Sequence, residues 1–363
     1  MEIAVYCSDV SGAFDRVSME RLISKMKAKK LHPQIIDVIS SWLRQRAAMV
    51  VVGGEYSDVM VLANMVFQGT VLGPTLWNLF FEDARLAIND WSYTEVVYAD
   101  DLNAYRAFGS ETSNEVIDQS ITNCQQELHR WGRANQVSFD ASKESRHIMS
   151  LTQPAGDSFR LLGVTFDGGL TMNEAVGEVV SSASWKLRTL IRTRRYYSDA
   201  ELVLLYKSNV LSYLEYRTAD VYHGTREVLV RLDAIQTRFL RDAGIDELTA
   251  LMVFNLAPLA MRRDIAMLGM IHRAALGAGP PHLRALFQRR PGSYMLEDPY
   301  QGRGQHPLLK RSAWGLIAVY NALGSGAQSI LQVKDFQYYL QERVKRLISN
   351  HGVLEWSRSY SPR

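Results

Sequence analysis

The stretch VVYADDLNAY, residues 96–105, sets two adjacent aspartates between two runs of residues that favour β-strands. The pattern predicts a β-hairpin over TEVVYADDLNAYRAF, with Asp100 and Asp101 at its tip. Two carboxylates about 4 Å apart repel by about 4 kcal/mol at an effective dielectric constant of about 20. A bound cation or a shared proton would relieve that repulsion, and a solvated turn would screen it. The hairpin therefore predicts an antiparallel sheet whose acidic tip is either a cation site or a plain turn.

A third carboxylate stands at the end of the first strand. IAVYCSDV, residues 3–10, is rich in Val, Ile and Tyr, and Asp9 lies near its C-terminal end. From that position a side chain can reach the tip of a neighbouring strand. Oxygen ligands of this kind suit Mg²⁺, so Asp9, Asp100 and Asp101 predict a site for two Mg²⁺ ions, with Mn²⁺ as an alternative. Two such ions about 4 Å apart would serve a phosphoryl transfer.

Helices are predicted both around and after this acidic hairpin. Apolar residues have helical spacing in VSMERLISKMKAKK, PQIIDVISSWLRQR and GPTLWNLFFEDARLAI, and a longer helix is predicted over about residues 110–133. From Met172 onward nearly every segment has helical spacing, so we expect the fold class to change there. The sequence therefore predicts an α+β region followed by an all-helical one.

Glycines mark the other strands and one linker. Alternation around Gly53 and Gly54 predicts a hairpin over AMVVVGGEYSDVMVL, and Gly turns predict short strands in QVSFDASKESRHIMSL and FRLLGVTFDGGLT. Gly and Pro crowd together over residues 276–307, which predicts an irregular linker before a last helical segment.

The composition excludes several classes of protein. A chain of 363 residues with 47% hydrophobic content is long enough for two or three domains with cores of their own. The formal net charge of +3 makes any affinity for nucleic acid depend on local clusters of charge. Cys7 and Cys124 have no zinc-ligand spacing with His and fit a reducing compartment.

Location and completeness are also expectations from the sequence. No signal peptide or run of eighteen apolar residues occurs, so we expect a soluble intracellular protein with no membrane partner, in the cytoplasm or the nucleus. Because the first strand begins only two residues into the chain, we also expect a truncated N-terminus.

Three segments in this order resemble the motifs of reverse transcriptases, namely SDVSGAFDRV, FQGTVLGPTLWNLFF and VVYADDLNAY. Downstream, SFDASKESRHIMSL resembles the family's lysine-bearing segment, FRLLGVTFDGGLT resembles its primer-grip hairpin, and residues 204–244 resemble the thumb of retrotransposons without long terminal repeats. The resemblance covers about residues 1–245. It implies a right-hand polymerase palm with part of the fingers over 1–171, a helical thumb over 172–250 and a helical C-terminal region of unknown role over 251–363.

The resemblance also implies roles for single residues. Asp9, Asp100 and Asp101 match the metal-binding carboxylates of the palm, which agrees with the site predicted from the residues themselves. Lys143 matches the family's lysine near the leaving pyrophosphate, which it would protonate or neutralise. A solvated surface charge is the alternative interpretation of this lysine.

Three more positions are implied to bind the incoming nucleotide. Phe14 matches the aromatic that faces the nucleotide sugar, where its ring would collide with a 2′-hydroxyl and so favour deoxynucleotides. Gln68 and Gly69 match the pair beside the nascent base pair. The alternatives are that Phe14 is an ordinary core aromatic and that Gly69 only helps to start the next helix.

The predicted thumb carries basic and aromatic residues together. Seven Lys or Arg against three Asp or Glu lie between Lys186 and Arg217. The interleaved aromatics are Trp185, Tyr196, Tyr197, Tyr206, Tyr213 and Tyr216. We interpret the tyrosines, together with the leucines, as core of a helical bundle. The phosphate contacts are assigned to Arg192, Arg194 and Arg195.

Together these features predict an RNA-directed DNA polymerase of a non-LTR retrotransposon. Its partners would be an RNA template, a DNA primer and dNTPs, and its oligomeric state is not predicted. One alternative is a catalytically inactive retroelement fragment, or a co-opted nucleic-acid-binding protein, that lacks the fingers. Another is a different palm enzyme, such as an RNA-copying polymerase or a nucleotide cyclase. Phe14 argues against ribonucleotide use, and the basic thumb argues against a cyclase.

Overall fold

The computed structural model describes residues 1–44, 46–62, 64–301 and 307–351. The chain divides into two compact units. The first contains residues 1–159 and 167–170, and the second contains residues 160–166 and the described residues from 171 onward. The architecture mixes helices and sheets, as the sequence predicted.

Among the described residues, the strands lie before residue 167, and most of them belong to the first unit. Their bounds are β1 (Glu2–Asp9), β2 (Arg46–Ala48), β3 (Val51–Val52), β4 (Glu55–Tyr56), β5 (Met60–Leu62), β6 (Thr94–Tyr98), β7 (Asp101–Phe108), β8 (Ser145–Met149), β9 (Phe159–Leu161) and β10 (Val164–Phe166). The predicted hairpins over 48–62 and 94–108 are confirmed, the first as two nested antiparallel pairs, β2 with β5 and β3 with β4. Positive φ angles at Gly53 and Gly54 form the inner turn.

A four-stranded sheet in the order β6–β7–β1–β8 is the centre of the first unit. The central strand β1 pairs antiparallel with both β7 and β8. Its residues are buried on both faces, which explains why it reads as a continuous apolar run that ends at the polar Asp9.

Helices cover this sheet, and their bounds are α1 (Met19–Ala28), α2 (Pro33–Leu43), α3 (Gly73–Phe81), α4 (Ala84–Asn89) and α5 (Asn114–Asn135). Helix α5 contacts β1 and β8. Its fully buried residues Ile117, Ile121, Cys124 and Leu128 recur at helical spacing, so a single apolar face packs on the sheet. The prediction of a helix over 110–133 was therefore right in type and shifted by a few residues at its ends.

The second unit is helical from residue 173 onward in the described residues, apart from an isolated bridge between Arg289 and Leu296. The helices are α6 (Asn173–Arg192), α7 (Asp199–Tyr206), α8 (Ser212–Tyr216), α9 (Thr218–Val221), α10 (Arg226–Ala243), α11 (Glu247–Met252), α12 (Leu259–Ala275), α13 (Pro281–Leu286), α14 (Pro307–Arg311), α15 (Leu316–Ala322), α16 (Ser325–Gln328) and α17 (Val333–His351). The predicted linker over 276–307 contains the short helix α13 among turns, and residues 302–306 of it lie outside the described residues.

Two apolar cores hold the second unit. One joins α6, α7 and α10, where the rings of Tyr206 and Phe239 stack with their centroids 3.9 Å apart. The other joins α12, α15 and α17, where the imidazole of His272 stacks on Phe336, also at 3.9 Å. In the part of the chain that the structure describes, no helix is both long and apolar enough to cross a membrane.

Candidate active site

The sheet brings the three predicted carboxylates to one place. Asp9 at the end of β1 is the register partner of Asp101 at the start of β7, and Asp101 also pairs with Tyr98 of β6. The backbone N–H of Val10 donates to the carbonyl of Asp100 at 3.3 Å, so the tip of the hairpin is bonded to the end of the central strand.

Aromatic packing holds this hairpin tip in position. Ala99 has a φ of +55°, in the left-handed region that an alanine seldom adopts. The indole Nε1 of the buried Trp77 donates to the carbonyl of Ala99 at 2.7 Å, and the ring of Phe14 lies 5.9 Å from that of Trp77. The strained residue before Asp100 is therefore supported by helix α3.

The electrostatics of the three carboxylates show their proximity. Burial, and then the negative charges of Asp100 and Asp9, raise the pKa of the Asp101 carboxyl. The Lys143 ammonium donates to Asp9 Oδ2 at 2.6 Å, and this bond raises the pKa of Lys143. Lys143 is thus a cation at the acidic site and not an isolated surface charge.

The loop that carries Lys143 is bonded to the end of β1. The N–H of Asp140 donates to the carbonyl of Asp9 at 3.0 Å, and the N–H of Ser11 donates to the carbonyl of Ser138 at 2.9 Å. The carboxylate of Asp140 in turn accepts from the N–H and hydroxyl of Ser142, which closes the turn before Lys143. The loop therefore has a defined position next to Asp9.

A buried carboxylate next to Lys143 was missed by reasoning from the sequence. Glu144, whose side chain is 7% exposed, accepts from the hydroxyl of Tyr6, from His129 Nε2 at 2.7 Å and from Gln125 Nε2 at 3.3 Å. Its donors come from β1 and α5, far away in sequence, so no local pattern could have revealed them. These bonds anchor the end of the loop to the sheet and to helix α5.

The donor chemistry fits a hard divalent cation, because three carboxylates offer oxygen ligands only and their mutual repulsion needs a positive charge. The positions of the side chains do not form a complete set of metal ligands. Within residues 1–44, 46–62, 64–301 and 307–351, no group of three or more His, Cys, Asp or Glu is placed to hold a metal ion. The cation that contacts Asp9 is the ammonium of Lys143.

Gln68 and Gly69, which we expect beside the nucleotide, lie in the segment that precedes helix α3, and this segment is bonded to Phe14. The N–H of Val66 donates to the carbonyl of Phe14 at 2.8 Å. Gln68 and Gly69 are exposed, and Gly69 has a φ of +83°, so the turn itself requires glycine there. Gly73 begins helix α3, and a Cβ on it would lie 2.7 Å from the carbonyl oxygen of Phe67.

The three predicted phosphate-binding arginines lie in the second unit and differ in their contacts. The guanidinium of Arg194 donates to the carbonyls of Asp242 and Ala243, at the C-terminal end of α10. That of Arg195 lies 4.8 Å from the ring centroid of Tyr196 and donates to its hydroxyl. Arg192 is exposed in the last turn of α6. Arg194 therefore stabilises a helix end, whereas Arg192 and Arg195 face solvent.

The interpretation of the thumb tyrosines as core was wrong for three of the five. Tyr206 is fully buried and Tyr213 is half-buried, but Tyr196, Tyr197 and Tyr216 are 41% to 83% exposed. Trp185 is exposed as well, at 66%. Trp185 shares the exposed face of α6 with Arg188 and Arg192, three and seven residues further on. This face pairs an open indole with basic side chains.

Comparison with known proteins shows what the first part of the chain is similar to. The sequence model of the family described as reverse transcriptase (RNA-dependent DNA polymerase) matches residues 2–166. Residues 2–166 thus form a reverse transcriptase domain. The match includes the carboxylates of β1 and β7, Gln68 and Lys143.

Relatives of this chain carry the names of RNA-directed DNA polymerases from mobile elements and transposons. The RNA-directed DNA polymerase from mobile element jockey of Drosophila melanogaster is 28% identical over 258 residues, which cover 64% of this chain and 27% of the relative. The probable RNA-directed DNA polymerase from transposon BS of the same species is 43% identical over 83 residues, covering 22% of this chain and 9% of that protein. The matches to the jockey polymerases of two Drosophila species each cover 27% of the relative. The chain thus spans about a quarter of the length of these curated relatives.

Among solved structures, the apo telomerase of Candida tropicalis aligns with a TM-score of 0.38 at 12% identity, covering 73% of this chain and 45% of that chain.

Proposed function

We propose that this reverse transcriptase domain synthesises DNA on an RNA template. The reaction is the attack of a primer 3′-hydroxyl on the α-phosphate of a deoxynucleoside triphosphate, with release of pyrophosphate. The observation that carries the proposal is the register of the sheet, which pairs Asp9 with Asp101 beside Asp100 within a chain of this family. Residues 1–171 would form the palm with part of the fingers, 172–250 the thumb, and 251–363 a C-terminal region without an assigned role.

Asp9, Asp100 and Asp101 would hold two Mg²⁺ ions, or Mn²⁺ in their place. Bound there, such ions supply activation of the attacking hydroxyl and neutralisation of phosphate charge. Lys143 already touches Asp9, so its ammonium is close enough to the acidic site to neutralise or protonate the leaving pyrophosphate. In that role Lys143 exchanges its bond to Asp9 for one to the phosphate oxygens.

Phe14, Gln68 and Gly69 would select and position the nucleotide. The ring of Phe14 is half-buried against Trp77, which fixes its orientation. A rigid ring at the nucleotide sugar leaves no room for a 2′-hydroxyl. The exposed turn at Gln68 and Gly69 brings backbone without a β-carbon to the base pair.

The exposed face of α6 would contact nucleic acid. Trp185, Arg188 and Arg192 lie on one side of this helix, and Arg195 with Tyr196 extends the basic and aromatic surface beyond its end. Arginines neutralise phosphates, and an exposed indole can stack on a base or a ribose. Arg194 contributes by holding the segment against α10.

Nucleic-acid binding without polymerisation is the second candidate. The observation that favours it is the bond between Lys143 and Asp9, together with the lack of a three-ligand metal cluster in the described residues. Under this alternative the carboxylates are neutralised by the lysine, and only the basic surface acts.

Primer extension separates the two candidates. The wild-type chain, an Asp100→Asn plus Asp101→Asn double variant and an Asp118→Asn control are compared on an RNA template with a DNA primer, dNTPs and Mg²⁺. Asp118 lies exposed on α5 and pairs with Arg146, so its substitution changes charge away from the site. Extension by the wild type and the control, but not by the double variant, supports the polymerase. Binding of the duplex without extension by any of them supports the second candidate.

A further inference from the structure

An arginine in the strand pair β2–β5 packs against two aromatic rings. Arg46, the first residue of β2, places its guanidinium carbon 4.3 Å from the ring centroid of Phe67 and 4.7 Å from that of Trp42. The two rings meet edge to face with centroids 5.7 Å apart, and both pack on the core of the first unit. The guanidinium is therefore ordered by two aromatic faces.

One bond fixes the remaining rotation of this side chain. Arg46 Nε donates to the carbonyl of Trp42 at 2.7 Å. Among the described residues, the hydrogen bond of the Arg46 side chain is this one from Nε, and the terminal nitrogens Nη1 and Nη2 form neither a hydrogen bond nor an ion pair. The ring contacts and this bond set the orientation of the half-buried Arg46, and within the described part of the chain its outer donors have no partner.

The position of Arg46 connects it with the nucleotide segment. Phe67, on which it stacks, directly precedes Gln68 and Gly69. The site of a Cβ on Gly73 lies 2.7 Å from the Phe67 carbonyl and 3.5 Å from the ring of Phe14, so these groups are neighbours. Arg46 and Phe14 thus flank the same short stretch of chain.

We propose that Arg46 is a phosphate-binding residue of the candidate active site. Its planar fork offers two parallel N–H donors, a geometry that matches a phosphate and that lysine cannot reproduce. Because the stacked side chain is already ordered, little conformational entropy is lost when a phosphate binds. The phosphate belongs either to the template backbone or to the incoming nucleoside triphosphate. The inference rests on the proposed function.

The test measures binding of the template–primer duplex and binding of the nucleoside triphosphate separately, and neither measurement requires catalytic turnover. Anisotropy of a fluorescein-labelled RNA–DNA template–primer, titrated with salt, reports binding of the duplex. A fluorescent mant-dNTP, added to the chain with a dideoxy-terminated primer and Ca²⁺, reports binding of the triphosphate. The variants are Arg46→Gln and Arg46→Lys, with Arg44→Gln as a control that removes an exposed arginine two residues away.

The expected result is a loss of about five- to tenfold in one of the two affinities for Arg46→Gln, and less for the control. If the template is the source, the slope of log affinity against log salt also falls by about one. If the triphosphate is the source, duplex binding stays at the wild-type value. Arg46→Lys keeps the charge without the fork, so we expect an intermediate loss with an unchanged melting temperature.

Two results would overturn the proposal, and they differ from each other. If the wild type binds both probes, and each of the two Arg46 variants binds them with wild-type affinity, then Arg46 only supports the packing of Trp42 and Phe67. If the wild type binds neither probe, the proposed function itself fails and the role of Arg46 fails with it. Where Arg46→Gln lowers the melting temperature, the lysine variant alone decides.

Discussion

Replacement of Glu144 by glutamine tests how the loop of Lys143 is held. The substitution keeps the shape of the side chain but removes its charge and turns one of its two oxygens into an amide donor. One of the three groups that donate to Glu144 would then face another donor, because Gln125 and a glutamine at 144 both present N–H groups. The bonds from Tyr6 and His129 would lose their charge-assisted character.

The expected cost follows from the burial of the site. A hydrogen bond to a charged group contributes about 1.5–3 kcal/mol, and an unsatisfied buried partner costs about 1–3 kcal/mol. Since Tyr6 and one other donor can still bond to the remaining oxygen, we expect Glu144→Gln to lower the free energy of unfolding by about 2 kcal/mol. For a unit of this size that is a drop of about 4–8 °C in melting temperature.

Calorimetry and hydrogen exchange would measure this effect. Glu127→Gln is the matched control, because Glu127 lies on α5, the helix that carries two of the donors to Glu144. Glu127 pairs with Arg130, whose side chain is 72% exposed, so loss of the Glu127 charge should cost less than about 0.5 kcal/mol. Peptides over residues 138–144 should exchange faster in Glu144→Gln and not in the control. Equal melting temperatures and equal exchange for the two variants would refute the anchoring role of Glu144.

Three further predictions concern other parts of the chain. Gly73→Ala should lower stability by about 1–3 kcal/mol in thermal melts because its Cβ would meet the Phe67 carbonyl, whereas Gly326→Ala, with open space around it, should change stability by less than about 0.5 kcal/mol. Burial lowers the pKa of His147 and His272, so the folded state resists protonation of both imidazoles. The stability that these neutral histidines contribute should be complete above about pH 6.5 and fall as the pH drops through their lowered folded-state pKa values. In urea titrations at several pH values, His147→Phe should flatten this dependence. Phe14→Val should raise ribonucleotide incorporation relative to deoxynucleotide incorporation by about tenfold or more in single-nucleotide extension, and an unchanged ratio would remove Phe14 from sugar selection.

Much of the fold could be predicted because its signals are local. The two runs of strand-favouring residues in TEVVYADDLNAYRAF specify a hairpin, and the helical spacing of α5 specifies one buried face. The family motifs are also short runs of sequence, and they led to the correct family. Predicted element ends shifted by a few residues where capping depends on neighbours, as at both ends of α5.

The sequence by itself thus determined the type and order of the elements, the family and the candidate carboxylates. Only the tertiary structure decided which polar groups meet. It paired Lys143 with Asp9, buried Glu144 under donors from two distant elements and diverted Arg194 to the end of α10. It also left Trp185 exposed and placed the guanidinium of Arg46 against the rings of Trp42 and Phe67. Most of these contacts join residues that are fifteen or more positions apart, and a periodicity of 2 or 3.6 residues carries no information about such pairs.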